Sequence, residues 1–170
     1  MEEGAWLEFY INGNPKVKGN FKDGKRNGKW DEFYSNNQIS ATGTFKEDQK
    51  EGDWKEYYPD GTLKIDGKFK EGKRNGAWKE FFDNKQLYFE ATYADDLEEG
   101  LTKKYFRDAK LNREGSFVKG KEEGEWKEYF ASGKISQKSF YKDGKETGLW
   151  EEFYENGKLL FGQRHRQHQH

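Results

Sequence analysis

Six glutamates separated by whole multiples of 24 residues, Glu8, Glu32, Glu56, Glu80, Glu128 and Glu152, are the residues best spaced to do chemistry in this sequence. Carboxylates act as general acids and bases or hold cations, so the ladder admits a carboxylate-based hydrolase as the one enzyme class to weigh. Catalytic pairs, however, occupy unlike environments that drive their pKa values apart, and a ladder of equivalent sites has no such asymmetry. Regular recurrence instead gives each Glu the same structural part, bonded to a neighbouring turn or Lys. The chain has no Cys, and its only histidines are His165, His168 and His170. Nucleophilic and imidazole-based catalysis inside the repeats is thereby excluded, as is a thiolate zinc cluster. Alternating His in the 163–170 tail has the chemistry to bind a transition metal, but a frayed tail is the plainer reading, and no cofactor or metal site is assigned. The segments GKRNGKW and GKRNGAW carry glycines and a Lys, yet they are periodic turns and do not open a helix, so no phosphate-binding loop is present.

The ladder breaks once. Where the other repeats have Trp and Glu, the fifth has Thr102 and Lys104, and a column that holds Val17, Ala41, Ile65, Phe89 and Phe161 in five other repeats holds Arg113. The expected register sets Lys104 and Arg113 directly across from one another, like charge beside like charge. Glu80 and Glu128, or a partner's carboxylate, would answer them. Just before the break, Ala94–Glu99 contains Asp95, Asp96, Glu98 and Glu99, whereas the matching turns Lys22–Asn27 and Lys70–Asn75 are net positive. Ordinary drift in a tolerant array is one account; the other is a partner-binding patch of Asp95, Asp96, Glu98, Glu99, Lys104 and Arg113.

What must position these side chains is an internal repeat. Units start at Gly4, Gly28, Gly52, Gly76, Gly100, Gly124 and Gly148 without insertion or deletion, and Trp6, Trp30, Trp54, Trp78, Trp126 and Trp150 follow two places later. Every tryptophan thus belongs to architecture before any can be offered as a ligand site. Three and four places after the Trp position stands an aromatic pair, nine places on usually an aliphatic, thirteen on a small residue and fifteen on a further aromatic. Two short segments rich in aromatics, separated by Asn/Asp-Gly turns, read as a β-hairpin. A four-residue first turn would pair the second aromatic with the aliphatic and set each Trp opposite the small residue of its own hairpin, indole over bare backbone. Alternation would place Trp, Glu, the second aromatic, the aliphatic, the small residue and the last aromatic on one face, and the first aromatic on the other.

The predicted fold is all-β: a repeat array of stacked antiparallel β-hairpins forming an elongated, twisted single-layer sheet. The array occupies residues 1–162 as one domain, with 163–170 as a disordered tail. Six full units and a partial seventh give about 13 to 14 strands, some 65 Å at about 4.8 Å per strand. Hydrophobic residues are only 31% and charged residues 37%, a balance that warns of disorder. A net charge of -1 and 18% aromatics at fixed offsets overrule the warning. Each hairpin alone is marginal, so stability comes from pairing along the array. Lys and Arg number 31 against 32 acidic residues, thoroughly mixed, which leaves little field to attract nucleic acid or an anionic membrane. The chain carries no signal-peptide pattern or long apolar run; the expected compartment is the cytoplasm, although a chain trimmed of its leader would look the same.

The pattern G-x-W-x-E-[FY]-[FY]-x-x-G-x-L-x-x-x-G-x-F-x-x-G, seven times in phase from Gly4 to about Phe161, resembles the MORN repeat in its longer, Trp-containing bacterial form. The resemblance implies stacked hairpins and roles in scaffolding, dimerisation or membrane attachment. Many bacterial relatives are antitoxin components, and no common active site transfers. The resulting expectation is a non-enzymatic protein-interaction scaffold that engages a partner protein by its aromatic face or an open sheet edge, with homodimerisation as an option. The alternative is an antitoxin or immunity-type protein that masks a toxin.

Overall fold

A computed structural model of the chain describes residues 3–165. It divides into two compact units, Met1–Lys85 and Gln86–His170. The tail residues His168 and His170 lie outside the described residues. In the first unit the strands are β1 (Gly4–Phe9), β2 (Pro15–Lys22), β3 (Lys25–Arg26), β4 (Gly28–Phe33), β5 (Ile39–Lys46), β6 (Gln49–Tyr57), β7 (Leu63–Lys70), β8 (Lys73–Arg74) and β9 (Gly76–Phe81). The second unit holds β10 (Leu87–Ala94), β11 (Leu97–Glu98), β12 (Gly100–Tyr105), β13 (Leu111–Val118), β14 (Lys121–Tyr129), β15 (Ile135–Lys142), β16 (Lys145–Phe153) and β17 (Leu159–His165). Within each unit consecutive strands pair antiparallel, hairpin beside hairpin. The short strands β3, β8 and β11 are leading segments of β4, β9 and β12, interrupted at Asn27, Asn75 and Glu99. Among the described residues no helix is long and apolar enough to cross a membrane.

Two tight turns build each repeat. The turn between repeats takes two central residues in the left-handed region, as at Asp95 (φ 51°) and Asp96 (φ 70°), the geometry whose twist suits a two-residue hairpin. The turn inside the hairpin closes with a bulge. Phe33 faces Ile39 and Tyr57 faces Leu63, with a register shift just before each, so the first aromatic of the pair, not the second, meets the aliphatic. The four-residue loop without a bulge would have fixed the other pairing; the bulge adds one residue and moves it.

The expected register otherwise holds, with Trp30 opposite Gly43 and Trp54 opposite Gly67. The indole nevertheless covers a different glycine. A Cβ built on Gly43 would lie 2.2 Å from Trp54 Cε3, and one on Gly67 2.1 Å from Trp78 Cε3. Each ring therefore lies over the small residue of the preceding repeat, eleven places earlier. A second bulge causes this: Thr42 pairs with Lys55 and Thr44 with Glu51, so the single Gly43 stands opposite Gly52, Asp53 and Trp54. Gly52 takes φ 74° at the start of that bulge, a conformation that costs a side chain dearly and glycine little. The strict recurrence of glycine two places before Trp thus comes from the backbone that throws the indole across to its neighbour.

The rings thus line up edge to face along the sheet. In the first unit Trp6, Phe21, Trp30, Phe45, Trp54, Phe69 and Trp78 stand 5.5–6.2 Å apart between successive centroids. A cation from the turn between repeats covers the row: Arg26 is 4.1 Å from the Phe45 centroid and Lys50 3.6 Å from that of Trp54. Burial against these rings lowers the Lys50 pKa. Two glutamates of the ladder cap indoles, Glu56 accepting from Trp54 Nε1 at 3.1 Å and Glu80 from Trp78 Nε1 at 3.0 Å. On the opposite face Tyr105 and Tyr129 donate to Glu90 and Glu114. Burial, then the bonded carboxylate, raises both phenol pKa values, that of Tyr129 to about 12.

Hydroxyl bonds tie neighbouring repeats. Tyr10 donates to the Phe33 carbonyl at 2.7 Å, Tyr34 to that of Tyr57 at 2.8 Å and Tyr58 to that of Phe81 at 2.9 Å. Phe106 and Phe130 occupy the same column in the second unit and have no hydroxyl to give. Tyr34→Phe is expected to lower stability by about 1 kcal/mol, the net worth of one such bond, and to raise amide exchange at the Tyr57 and Tyr58 junction. An unchanged denaturation midpoint and exchange pattern would show that the bond contributes nothing.

Candidate functional site

In the second unit the aromatic row has a gap at Thr102. Glu90 pairs with Lys103 and Tyr93 with Glu98, which places Ala91 where Gly43 or Gly67 stands in the first unit. An indole at position 102 would run into the Ala91 methyl, just as the rings in the other repeats would run into a Cβ on their glycines. Ala91 and Thr102 are thus two halves of one substitution, and both are buried. Ser139 holds the same place before Trp150, and Trp150 is only half-buried, packing instead on Phe161 at 5.6 Å.

The missing ring leaves a cavity of about 140 Å³. Its aromatic walls are Phe89, Phe117 and Trp126, its polar lining Glu98, Thr102, Lys104 and Arg113. Three of the six residues singled out in sequence, Glu98, Lys104 and Arg113, therefore converge on one site. The others do not line it. Asp95 and Asp96 form the exposed turn already described, and Glu99 accepts from the backbone N–H of Lys119 at 2.8 Å. Lys104 and Arg113 do stand opposite each other, but their charges part: the Lys104 ammonium lies 5.6 Å from the Tyr88 ring centroid, and the Arg113 guanidinium 4.3 Å from that of Trp126.

Arg113 does for Trp126 what Lys50 does for Trp54, but from the next strand along. The turn column explains the exchange. It reads Arg26, Lys50 and Arg74 in the first unit and Glu98, Glu122 and Glu146 in the second. Glu122 accepts from Arg113 Nη2 at 2.9 Å, and Glu128 lies 3.4 Å from Arg113 Nε. The expected answer by Glu128 is therefore present, while Glu122, the closer partner, escaped the sequence reading. With Glu128 drawn toward Arg113, the indole N–H of Trp126 has no acceptor. Among the described residues, the buried side-chain polar atoms without a hydrogen bond are Thr102 Oγ1, Arg113 Nε and Trp126 Nε1, and all three residues line this one cavity. Buried polar groups are nearly always paired, so a cluster of orphans around one hole calls for a ligand or ordered water.

A family model described as the MORN repeat variant matches residues 2–23, 50–71, 74–95, 122–143 and 146–161, more than half of the chain. The chain belongs to the MORN repeat variant family. MORN repeats are in general modules for protein or membrane interaction, and the family is typically non-catalytic. The matched MORN segments pass over 24–49 and 96–121, the second of which contains Thr102, Lys104 and Arg113. No curated protein gives a significant match to the chain.

Proposed function

We propose that the chain is a non-enzymatic scaffold that binds a partner protein on the aromatic face of its second unit, at the fifth repeat. The observation that carries this reading is the cavity at Thr102, where a regular row of rings is interrupted and every orphaned buried polar atom among the described residues is gathered. Exposed Lys104, which has no ion pair among the described residues, and exposed Asp95 supply charges at and beside the cavity for a partner to read.

The test uses Asp95→Lys with Lys104→Glu. Lys119 holds φ 51° at the same turn position as Asp95, so lysine fits that backbone, and Lys104 is exposed. With the immobilised chain and a lysate of its source cells, capture of the partner is expected to fall at least about 10-fold in the double variant, with the thermal midpoint unchanged. Undiminished capture by the variant would place the partner elsewhere.

A further inference from the structure

The chemistry of the cavity narrows its occupant. Resting on the reading of the chain as a protein-binding module, we propose that the Thr102 cavity receives a tyrosine side chain of the partner, its ring standing in for the missing indole and its phenol oxygen accepting from the orphaned donors. Thr102 is 6% exposed and Trp126 3%, and neither Oγ1 nor Nε1 has a hydrogen-bond partner within the protein. Arg113 Nε, which also makes no hydrogen bond, is already answered by the Glu128 carboxylate at 3.4 Å. The unanswered pair is one N–H donor and one hydroxyl that can donate, so the ligand must bring an acceptor.

Shape and charge then select among acceptors. A cavity of about 150 Å³ accepts benzene, and this one, at about 140 Å³ with Phe89, Phe117 and Trp126 as walls, is matched to a six-membered ring packed edge to face. A carboxylate ligand would meet three carboxylates, Glu98 in the lining with Glu122 and Glu128 beside Arg113, against the two cations Lys104 and Arg113. The local balance favours a neutral acceptor. Tryptophan brings only a donor, phenylalanine brings neither, and the phenol of tyrosine accepts while still able to donate to Glu98.

The experiment titrates the full-length ¹⁵N-labelled chain with N-acetyl-tyrosinamide and N-acetyl-phenylalaninamide, following the indole N–H resonances. The Trp126 resonance is expected to shift saturably, with the tyrosine probe bound at least about 10-fold more tightly than the phenylalanine probe. Ala91→Gly with Thr102→Trp rebuilds the pair seen at Gly43 and Trp54, closes the cavity and is expected to abolish the shift. Should that variant fail to fold, Thr102→Leu, which fills part of the space and deletes the hydroxyl, is expected to weaken the tyrosine probe at least about 5-fold. Equal affinity for the two probes, no saturable change at Trp126, or undiminished binding by the cavity-filling variant would overturn the proposal. If partner capture is lost in Asp95→Lys/Lys104→Glu but retained in Ala91→Gly/Thr102→Trp, the scaffold reading survives and the tyrosine pocket does not.

Discussion

Trp54→Ala is expected to cost about 3–5 kcal/mol, the range for deleting a large buried aromatic. The ring is 3% exposed and lies between Phe45 and Phe69 with Lys50 above it and Gly43 beneath. Its removal therefore strips contacts from two repeats and leaves the Glu56 carboxylate without its N–H donor. In a stack whose members touch only their neighbours, a loss at one rung should appear locally first. Hydrogen exchange of β5 and β6 should rise before global unfolding in urea shifts. A loss below about 1 kcal/mol would mean that the row of rings is decoration on a sheet held by its backbone.

Gly43→Ala carries the second large effect, for the opposite reason. The added methyl would sit 2.2 Å from Trp54 Cε3 and 3.1 Å from the Asp53 carbonyl oxygen, and overpacking of this kind costs about 1–3 kcal/mol. The sharper test is a cycle. Trp54→Thr alone is expected to cost about 3–4 kcal/mol, and Gly43→Ala added to it should cost much less than Gly43→Ala alone, because the clashing ring has gone and only the 3.1 Å contact to the Asp53 carbonyl remains. The double variant reproduces the Ala91 and Thr102 pair that the chain already carries. Strict additivity of the two single losses would refute the coupling and with it the explanation of why the Trp series breaks at position 102.

The hairpin, the glycine and tryptophan spacing, the Trp-to-Gly register and the opposition of Lys104 and Arg113 were all legible in sequence, because period and alternation determine them. Which glycine the indole covers was not. That depends on a bulge, and a bulge changes which repeat a side chain reaches without disturbing the 24-residue count. For the same reason Thr102 stood out as a departure while Ala91 passed as one more small residue, and the two could not be joined, since the link runs between consecutive repeats. Part of the cavity's electrostatics, by contrast, was open to reading. The column Arg26, Lys50, Arg74, Glu98, Glu122, Glu146 changes sign between the units, and following it alongside the Glu ladder would have paired Arg113 with Glu122. The orphaned state of Trp126 Nε1 was out of reach, because it follows from a contest between Arg113 and the indole for one carboxylate.

The interrupted rung also bears on how such a chain finds its native threading. Near-identical hairpins of equal length offer a folding chain many almost equivalent dockings, and a hairpin seated one unit out of step keeps most backbone bonds and most of its burial. At Ala91 that near-degeneracy ends: a Trp-bearing strand docked there meets a methyl where it needs bare backbone, and the Thr102 strand docked on Gly43 or Gly67 leaves a hole. One mismatched pair thus numbers the repeats, giving misthreaded stacks an energetic penalty that a perfectly periodic sequence could not impose. A chain carrying Ala91→Gly and Thr102→Trp would gain a ring at that rung and lose its own page number.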